Sequence, residues 1–337
     1  MKHILFSLLN LSVFTMVYGQ LKPAFLPEEI IISDINNEYY GQSNLINKSR
    51  AKGLLLSYGF TRSNQYTLES NTITGNPTNE LDRLSFVQFK LKIPILVKGR
   101  TKVLLGYKYF AEFYDFEVIR TDFAQTLQTL DKQSLKNTDY SVIISHTINE
   151  SKYFHLRYKY AANGNFSSIF NFESKHSINS IMGIYGIRKS EDFEWGIGLV
   201  FSNSFRRNNL IPFMLYNRSF SDKWGIESLF PYNLFFRYNL NAKTIALFGV
   251  EYNSQSYRLA INDALQNTLD YAFNHSEVLC SVDIERHLTS WIWANLKLGY
   301  QFNFDNEFEA KSMNAANFQA NQASGLFLNI GVFVSPE

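Results

Sequence analysis

Residues 293–304 read WANLKLGYQFNF, and this stretch decides the fold. Its apolar residues stand at every second position, and polar or small residues fill the positions between them. Such alternation is typical of a β-strand with one apolar face. A strand of about ten residues crosses the hydrocarbon of a bilayer when it is tilted. The pattern therefore predicts a membrane-spanning strand.

The same alternation recurs along the chain, and the connections between the alternating segments differ in length. Clear examples are SFVQFKLKIPILV at 85–97, YFHLRYKYA at 153–161 and FEWGIGLVFS at 193–202. Short turns near residues 99, 150, 190, 222, 242 and 289 alternate with longer polar stretches at 61–81, 117–137, 162–176, 254–275 and 305–323. Outer-membrane barrels have short periplasmic turns and longer outer loops. We therefore expect an all-β, antiparallel, up-and-down transmembrane barrel with strands of roughly ten residues.

The strand count depends on ESLFPYNLFF at 227–236. If 224–239 formed one strand, the barrel would have an odd number of strands, and the 254–275 loop would lie on the same side of the membrane as the short turns. Pro231 cannot donate to a sheet ladder, which favours a break there. A reversal at Phe230–Tyr232 gives 14 strands, which we favour, and a bulged single strand in a 12-stranded barrel is the alternative.

Composition excludes several classes of protein. The chain has 337 residues, of which 45% are hydrophobic and 18% charged, and its net charge is +2. That charge is too small to indicate nucleic acid as a partner. Cys280 is the single cysteine and cannot form an intramolecular disulfide. A core or a membrane must therefore stabilise the fold.

The amino-terminal residues have the pattern of a secretory signal peptide. A basic start precedes an apolar stretch at 4–16, and a cleavage site follows Gly19. A membrane anchor is the alternative, although the apolar stretch is short for one. We predict a signal peptide at 1–19, a periplasmic lead-in or small plug at 20–50, and an outer-membrane barrel at 51–337.

The four tryptophans all stand within a few residues after a predicted short turn. They are Trp195, Trp224, Trp291 and Trp293. Amphipathic rings at one depth are typical of the aromatic belt at a membrane interface. We therefore predict an interfacial belt, with ordinary core tryptophans as the alternative.

Hairpin geometry predicts which polar residues face the lumen. Apolar positions on both strands of 278–300 share one face if paired residue numbers sum to 580. That register pairs Asp283 with Lys297 and Glu285 with Asn295 inside the barrel, and places His287 at its end. The predicted lumen-facing residues are Lys90, Lys92, Lys108, Glu112, His155, Arg157, Lys159, Asp283, Glu285 and Lys297.

The sequence carries no catalytic or metal-binding signature. HExxH, GxSxG, the Walker A motif and GxGxxG are all missing. We expect no enzymatic activity, no metal site and no cofactor. Two short helices are expected in outer loops, at 121–135 and, with similar character, at 261–273.

Two classes of function remain open. The first is a passive or selective channel for small solutes, with the basic inner residues Lys90, Lys92, Arg157 and Lys159 choosing among them. The second is a closed barrel, filled by cross-strand ion pairs, that displays outer loops for binding or adhesion. A soluble secreted β-protein is a third and weaker possibility.

Three stretches carry a family resemblance: FVQFKLKIPILVKGRTKVLLGYKY at 86–109, WGIESLFPYNLFFRYNL at 224–240 and DIERHLTSWIWANLKLGYQFNF at 283–304. They resemble an uncharacterised family of outer-membrane β-barrels from Bacteroidota, over most of the mature chain. The resemblance implies location in the outer membrane after export, contact with its lipid, and insertion by the general assembly machinery. It implies no catalytic residue.

Overall fold

The computed structural model describes residues 45–63, 65–69, 78–119, 124–168, 173–205, 208–262, 268–311 and 317–335. The predicted signal peptide and all of the predicted lead-in before residue 45 lie outside these ranges. The strands are β1 (Leu54–Arg62), β2 (Tyr66–Glu69), β3 (Thr78–Lys98), β4 (Thr101–Val118), β5 (Leu135–Thr147), β6 (Lys152–Gly164), β7 (Ser177–Arg188), β8 (Phe193–Asn203), β9 (Asn208–Ser219), β10 (Trp224–Phe230), β11 (Asn233–Asn241), β12 (Thr244–Asn262), β13 (Thr268–Thr289), β14 (Ile292–Ala310), β15 (Phe318–Gln322) and β16 (Gly325–Val334). The helices are α1 (Ala124–Lys132) and a single 3-10 turn at Ser174–His176. Within the described ranges, no helix has both the length and the apolar character to span a membrane.

Fourteen of the strands close into one antiparallel ring. Each strand from β3 to β14 pairs with the next, and β16 pairs with β14. Strand β1 closes the ring, since Tyr58 stands opposite Val87 of β3 on one side and Ile330 of β16 on the other. The predicted 14-stranded barrel is confirmed. Strands β2 and β15 pair with each other and with β3 and β14, and extend the wall beyond the ring.

The reversal predicted at Pro231 is present, and the 12-stranded alternative is wrong. Strands β10 and β11 form a hairpin in which Leu229 stands opposite Asn233. The backbone N–H of Tyr232 donates to the carbonyl of Leu229 at 2.7 Å. The Asn233 side chain accepts from the Leu229 N–H at 2.9 Å. Because these bonds satisfy the backbone around Pro231, the chain turns where a ladder could not continue.

Strand length divides the barrel into two levels. Strands β5 to β11 have 7 to 13 residues, as expected. Strands β3, β4, β12, β13 and β14 have 18 to 22 residues, so the expectation of ten is wrong for them. Their extra residues continue into the stretches interpreted as loops. The end of the barrel with long strands is called the loop end below, and the end with short connections is called the turn end.

Strands β7 to β11 stop short of the loop end, and there β12 meets β6 directly. Arg258 of β12 bridges to Gly164 of β6 in parallel orientation. The Asn163 side chain donates to the carbonyl of Ser256 at 2.9 Å. Any Cβ on Gly164 would lie 2.5 Å from the carbonyl oxygen of Arg258, so this approach requires glycine.

An apolar cluster, called the loop-end core, fills the interior of the barrel at the loop end. Its members are Tyr66, Leu68, Leu81, Leu84, Tyr114, Phe116, Leu127, Leu130, Leu135, Tyr257, Leu259, Ile261, Tyr271, Phe273, Phe308, Phe318 and Ala320. The helix predicted at 121–135 is confirmed, and α1 supplies Leu127 and Leu130 to this core. The second helix, expected at 261–273, is wrong for its described residues, because Ile261 belongs to β12 and Tyr271 and Phe273 belong to β13; residues 263–267 lie outside the described ranges.

The outer face of the ring is apolar and exposed. On β8, Ile197 and Leu199 are 58% and 52% exposed. Val200, which lies between the outward-facing Leu199 and Phe201, is buried. The same alternation exposes Met214, Phe236, Phe248, Leu298 and Ile330 on other strands. A continuous exposed apolar face of this kind is stable in contact with lipid and unstable in contact with water.

This face gives a first testable prediction. Leu199 lies mid-strand on β8, whereas Leu288 lies beside the turn between β13 and β14; both are exposed. Leu199→Arg should lower the free energy of unfolding in lipid vesicles by about 2–4 kcal/mol, and Leu288→Arg by about 1 kcal/mol or less, because the cost depends on depth. Guanidinium titration of the vesicle-inserted barrel measures both. Equal effects would contradict burial of this face in a bilayer.

Candidate functional site

The candidate site is the interior of the ring. The predicted lumen residues lie on the strand faces opposite the exposed apolar set. Seven of them are buried, namely Lys90, Lys108, Glu112, His155, Lys159, Asp283 and Glu285. Lys92, Arg157 and Lys297 occupy the same inner faces and are partly exposed. The interior is therefore polar and carries both signs of charge.

The predicted hairpin register is correct, but one predicted ion pair is not. Asp283 stands opposite Lys297, and Glu285 opposite Asn295. The Lys297 ammonium, however, lies 2.8 Å from Oε1 of Glu251 on β12. Asp283 instead accepts from the Asn295 side-chain amide at 3.3 Å. A lysine side chain is long enough to pass over β13 and reach the next strand, so register alone did not identify its partner.

The tryptophan prediction needs one correction. Trp195, Trp224 and Trp291 are partly or well exposed, with Trp224 and Trp291 above 50%. Trp293 is buried inside the barrel, with its ring centroid 6.1 Å from that of Phe333. Its position has the same parity as Asn295 and Lys297, so the register that places Lys297 inside also places Trp293 inside.

A segment before β1 crosses the turn end of the barrel. This floor segment comprises residues 45–53. Its Ile46 N–H donates to the carbonyl of Glu191 at 3.0 Å, and its Asn47 carbonyl accepts from the Asn239 side chain at 3.0 Å. At its other end, the Gly53 N–H donates to the carbonyl of Val334 at 2.8 Å. The segment thus spans the ring from the turn before β8 to β16.

Buried carboxylates of the wall hold the floor segment. Lys48 lies 3.4 Å from Glu194, and Lys52 lies 2.7 Å from Glu285. The backbone N–H of Ser49 donates to Glu227 at 2.9 Å, and its hydroxyl donates to the same carboxylate. All three carboxylates are at most 2% exposed. Sequence reasoning missed these contacts, since they join residues more than 140 positions apart.

Two further buried cations, Arg237 and Lys52, lie beside carboxylates at the floor of the barrel. Arg237 is fully buried, 2.9 Å from Glu227 and 2.7 Å from the Ser219 hydroxyl. Burial alone would lower the pKa of the Lys52 ammonium, but the carboxylates of Glu285 and Asp283 hold that pKa above its ordinary value. Lys52 is therefore a cation at neutral pH.

A chamber lies between the floor segment and the loop-end core. The space in it that water molecules can occupy amounts to about 110 Å³. The lining residues are Lys52, Leu55, Ser57, Thr61, Leu84, Phe86, Gln88, Lys90, Phe110, Glu112, Glu251, Asn253, Gln255, Glu277, Leu279, Asp283, Asn295, Lys297, Gln301, Phe327 and Asn329. Strands β3, β4 and β16 contribute aromatic rings, and strands β12 to β14 contribute amides and carboxylates. Among the described residues, no group of three or more histidine, cysteine or acidic side chains is arranged to hold a metal ion.

Comparisons with known proteins give a family match and several solved structures of low similarity. No curated protein sequence matches the chain. Among solved structures, a FadL homologue from Pseudomonas aeruginosa is 8% identical, with a TM-score of 0.43, and the alignment covers 92% of this chain and 99% of that one. An outer membrane channel from Pseudomonas putida F1 is 10% identical, with a TM-score of 0.40 and coverage of 86% and 97%. The P. putida toluene transporter TodX is 7% identical, with a TM-score of 0.35 and coverage of 89% and 95%.

The family assignment rests on a longer and more specific match. The family described as "Domain of unknown function (DUF6268)" matches residues 55–335. This range begins inside β1 and ends just after β16, and so contains all of the ring except the first residue of β1. The chain therefore belongs to the DUF6268 family.

Proposed function

We propose that the protein is an integral outer-membrane barrel that passes a small solute through its chamber when the floor segment at the turn end and the loop-end core at the other end both open. The observation that carries this proposal is the chamber itself, a polar-lined space inside the ring of which water molecules can occupy about 110 Å³. A barrel that served solely as a scaffold would gain stability by filling such a space with side chains. The floor segment is held by hydrogen bonds and ion pairs, which can exchange with water.

The exposed apolar face supports the location in a membrane. A closed barrel with an apolar outer face and a polar lumen satisfies every backbone group without water, as the hydrocarbon of a bilayer requires. Export by the predicted signal peptide, insertion by the outer-membrane assembly machinery and origin in Bacteroidota are part of the same proposal.

The open pore should prefer cations. Displacement of the floor segment removes Lys48 and Lys52 from the carboxylates of Glu194 and Glu285. An acidic constriction then remains at the turn end, and rings of acidic side chains favour cations. This differs from the selection by Lys90, Lys92, Arg157 and Lys159 that the sequence suggests, because the residues that the displaced floor segment leaves behind, Glu194 and Glu285, are acidic.

The alternative function, a closed barrel that displays its outer surface, also has a specific observation in its favour. The loop-end core closes that end with buried aromatic rings, among them Phe273 and Phe308 at 4.3 Å between centroids. Under this alternative the chamber would hold water and never conduct.

Planar-bilayer recording distinguishes the two functions. The parent barrel should open rarely, and Lys48→Ala/Lys52→Ala should raise its open time at least about tenfold, the change that 1.4 kcal/mol of lost contacts produces. Its reversal potential in a KCl gradient should show cation preference. The matched control Lys223→Ala/Lys243→Ala removes two exposed lysines from turns and should behave as the parent. Absence of current from both the parent and the floor variant would refute the channel proposal.

A further inference from the structure

An apolar groove runs over the outer face of strands β6 to β9. The space in it amounts to about 1110 Å³. Exposed side chains line it, among them Leu199 of β8 and Leu210 and Met214 of β9. Gly183 of β7 stands opposite Leu199, and a Cβ built on this glycine would meet the Phe154 ring at 3.8 Å, an ordinary contact. The space over Gly183 is therefore open, and in a membrane a hydrocarbon chain fills such a groove.

Two basic side chains stand at the turn end of the same wall. The guanidinium carbon of Arg218 on β9 lies 5.5 Å from the ring centroid of Phe193 and 5.5 Å from that of Phe220. The ammonium of Lys189 lies 5.9 Å from the Phe193 ring. Aromatic faces hold a guanidinium in place and leave its N–H groups available for an oxyanion such as phosphate. Arg218 and Lys189 are called the basic pair below.

Acidic side chains close to the basic pair do not neutralise it. Glu191 and Asp192 lie in the turn before β8. The Asp192 carboxylate accepts a hydrogen bond from the Ser190 side chain, and the charge of Arg218 acts on it less than that hydrogen bond does. Among the described residues, no carboxylate forms an ion pair with either member of the basic pair. An anion from outside the protein can therefore bind the pair without displacing a carboxylate.

The basic pair and the groove lie in the order of the parts of a lipid. Arg218 stands opposite Phe193, and the next outward-facing pair toward the loop end is Tyr216 with Trp195. Beyond these amphipathic rings the groove begins at Met214, four residues from Arg218 and so about 13 Å away along the strand. Positive charge, aromatic belt and apolar groove thus match the phosphate, the interface and the acyl chain of one leaflet.

We propose that this face of the barrel binds one phospholipid of the leaflet at the turn end. Its phosphodiester lies on Arg218 and Lys189, where a guanidinium can donate two parallel hydrogen bonds to the phosphate oxygens. One acyl chain passes over Trp195 and Tyr216 and occupies the groove above Gly183. The site requires insertion in a membrane but no conduction, so it goes beyond the proposed channel.

Native mass spectrometry of the full-length barrel, extracted from membranes in a mild detergent, tests the proposal. After exchange into fresh detergent, the parent should retain one phospholipid per barrel. Lys189→Ala/Arg218→Ala should lower the retained fraction about tenfold or more, because it removes both charges that hold the phosphate. The matched control Lys98→Ala/Lys243→Ala removes two exposed lysines near other turns and should retain the lipid as the parent does.

A second variant tests the groove. Gly183→Leu fills the open space with an apolar side chain and should also lower lipid retention about tenfold, because the acyl chain loses its place. Ala294→Leu adds the same side chain to the outer face of β14 and should retain the lipid.

Rebinding by the delipidated parent tests the role of the phosphate. Dioleoylphosphatidylglycerol should bind about tenfold or more tightly than dioleoylglycerol, which has the same chains without the phosphate. Equal binding of the two probes would refute the role of the basic pair, and unchanged retention by Gly183→Leu would refute the groove.

Two further outcomes would overturn the site as a whole. Loss of all lipid from the parent at the first exchange would mean that bulk bilayer lipid alone covers this face. A stable dimer that Gly183→Leu dissociates would assign the face to a second copy of the barrel. Retained lipid without any bilayer current would refute the channel and keep the site, and current without retained lipid would do the reverse.

Discussion

Replacement of Arg237 by methionine is expected to lower the free energy of unfolding by about 3–5 kcal/mol. The Arg237 side chain is 1% exposed and bonds both Glu227 and Ser219 inside the lumen. Methionine keeps much of its volume and removes its charge. Glu227 would then remain buried with only the floor segment to neutralise it, and an uncompensated buried carboxylate is the costly state.

Two further variants separate charge from packing. Arg237→Met/Glu227→Gln should recover most of the loss, since removal of both charges leaves no buried ion. Arg62→Met removes an exposed arginine that lies 4.0 Å from Asp82, and should cost about 1 kcal/mol or less. Guanidinium unfolding of the vesicle-inserted barrel measures all three. A single variant Arg237→Met no less stable than Arg62→Met would show that Glu227 does not need its partner.

The loop-end core should show the second large effect. Phe308 is fully buried, with its ring centroid 4.3 Å from Phe273 and 4.4 Å from Phe318. Phe308→Ala should cost about 3–5 kcal/mol, because it removes a ring from a packed cluster and leaves a cavity. Near-ultraviolet circular dichroism during guanidinium titration reports the loss of packed aromatic rings.

The matched control lies on the same strand. Phe302 of β14 points outward and is 45% exposed. Phe302→Ala leaves a gap that a lipid chain can fill, so its effect should be several-fold smaller than that of Phe308→Ala. Similar losses for both variants would indicate that the loop end is not held together by its own core.

The ring could be predicted because its signals are local. Alternation at 293–304 defines one apolar face, and that face determines the register in which Asp283 stands opposite Lys297. Pro231 marks the reversal because it lacks a donor, whatever surrounds it. Each of these conclusions depends on residues within one hairpin.

The interior could not be predicted to the same depth, because its partners are distant in sequence. Lys297 reaches past β13 to Glu251, and Lys52 of the floor segment reaches Glu285 of β13, which is far from it along the chain. The polar stretch at 254–275 predicts a loop, whereas its described residues belong to β12 and β13. Ser254 and Ser256 are buried against β13, where Ser254 bonds Ser276 at 2.9 Å, so polar residues there are ladder positions and not loop positions.

The long strands have a mechanical consequence. Strand β13 has 22 residues, which at about 3.3 Å each makes a rod of about 70 Å, against a hydrocarbon thickness of about 30 Å. The same rod carries Phe273 in the loop-end core, Asp283 in the chamber and Glu285 at the floor. A force on the outer end of β13 would therefore be transmitted along the strand through the membrane, and would move the chamber wall and the floor together.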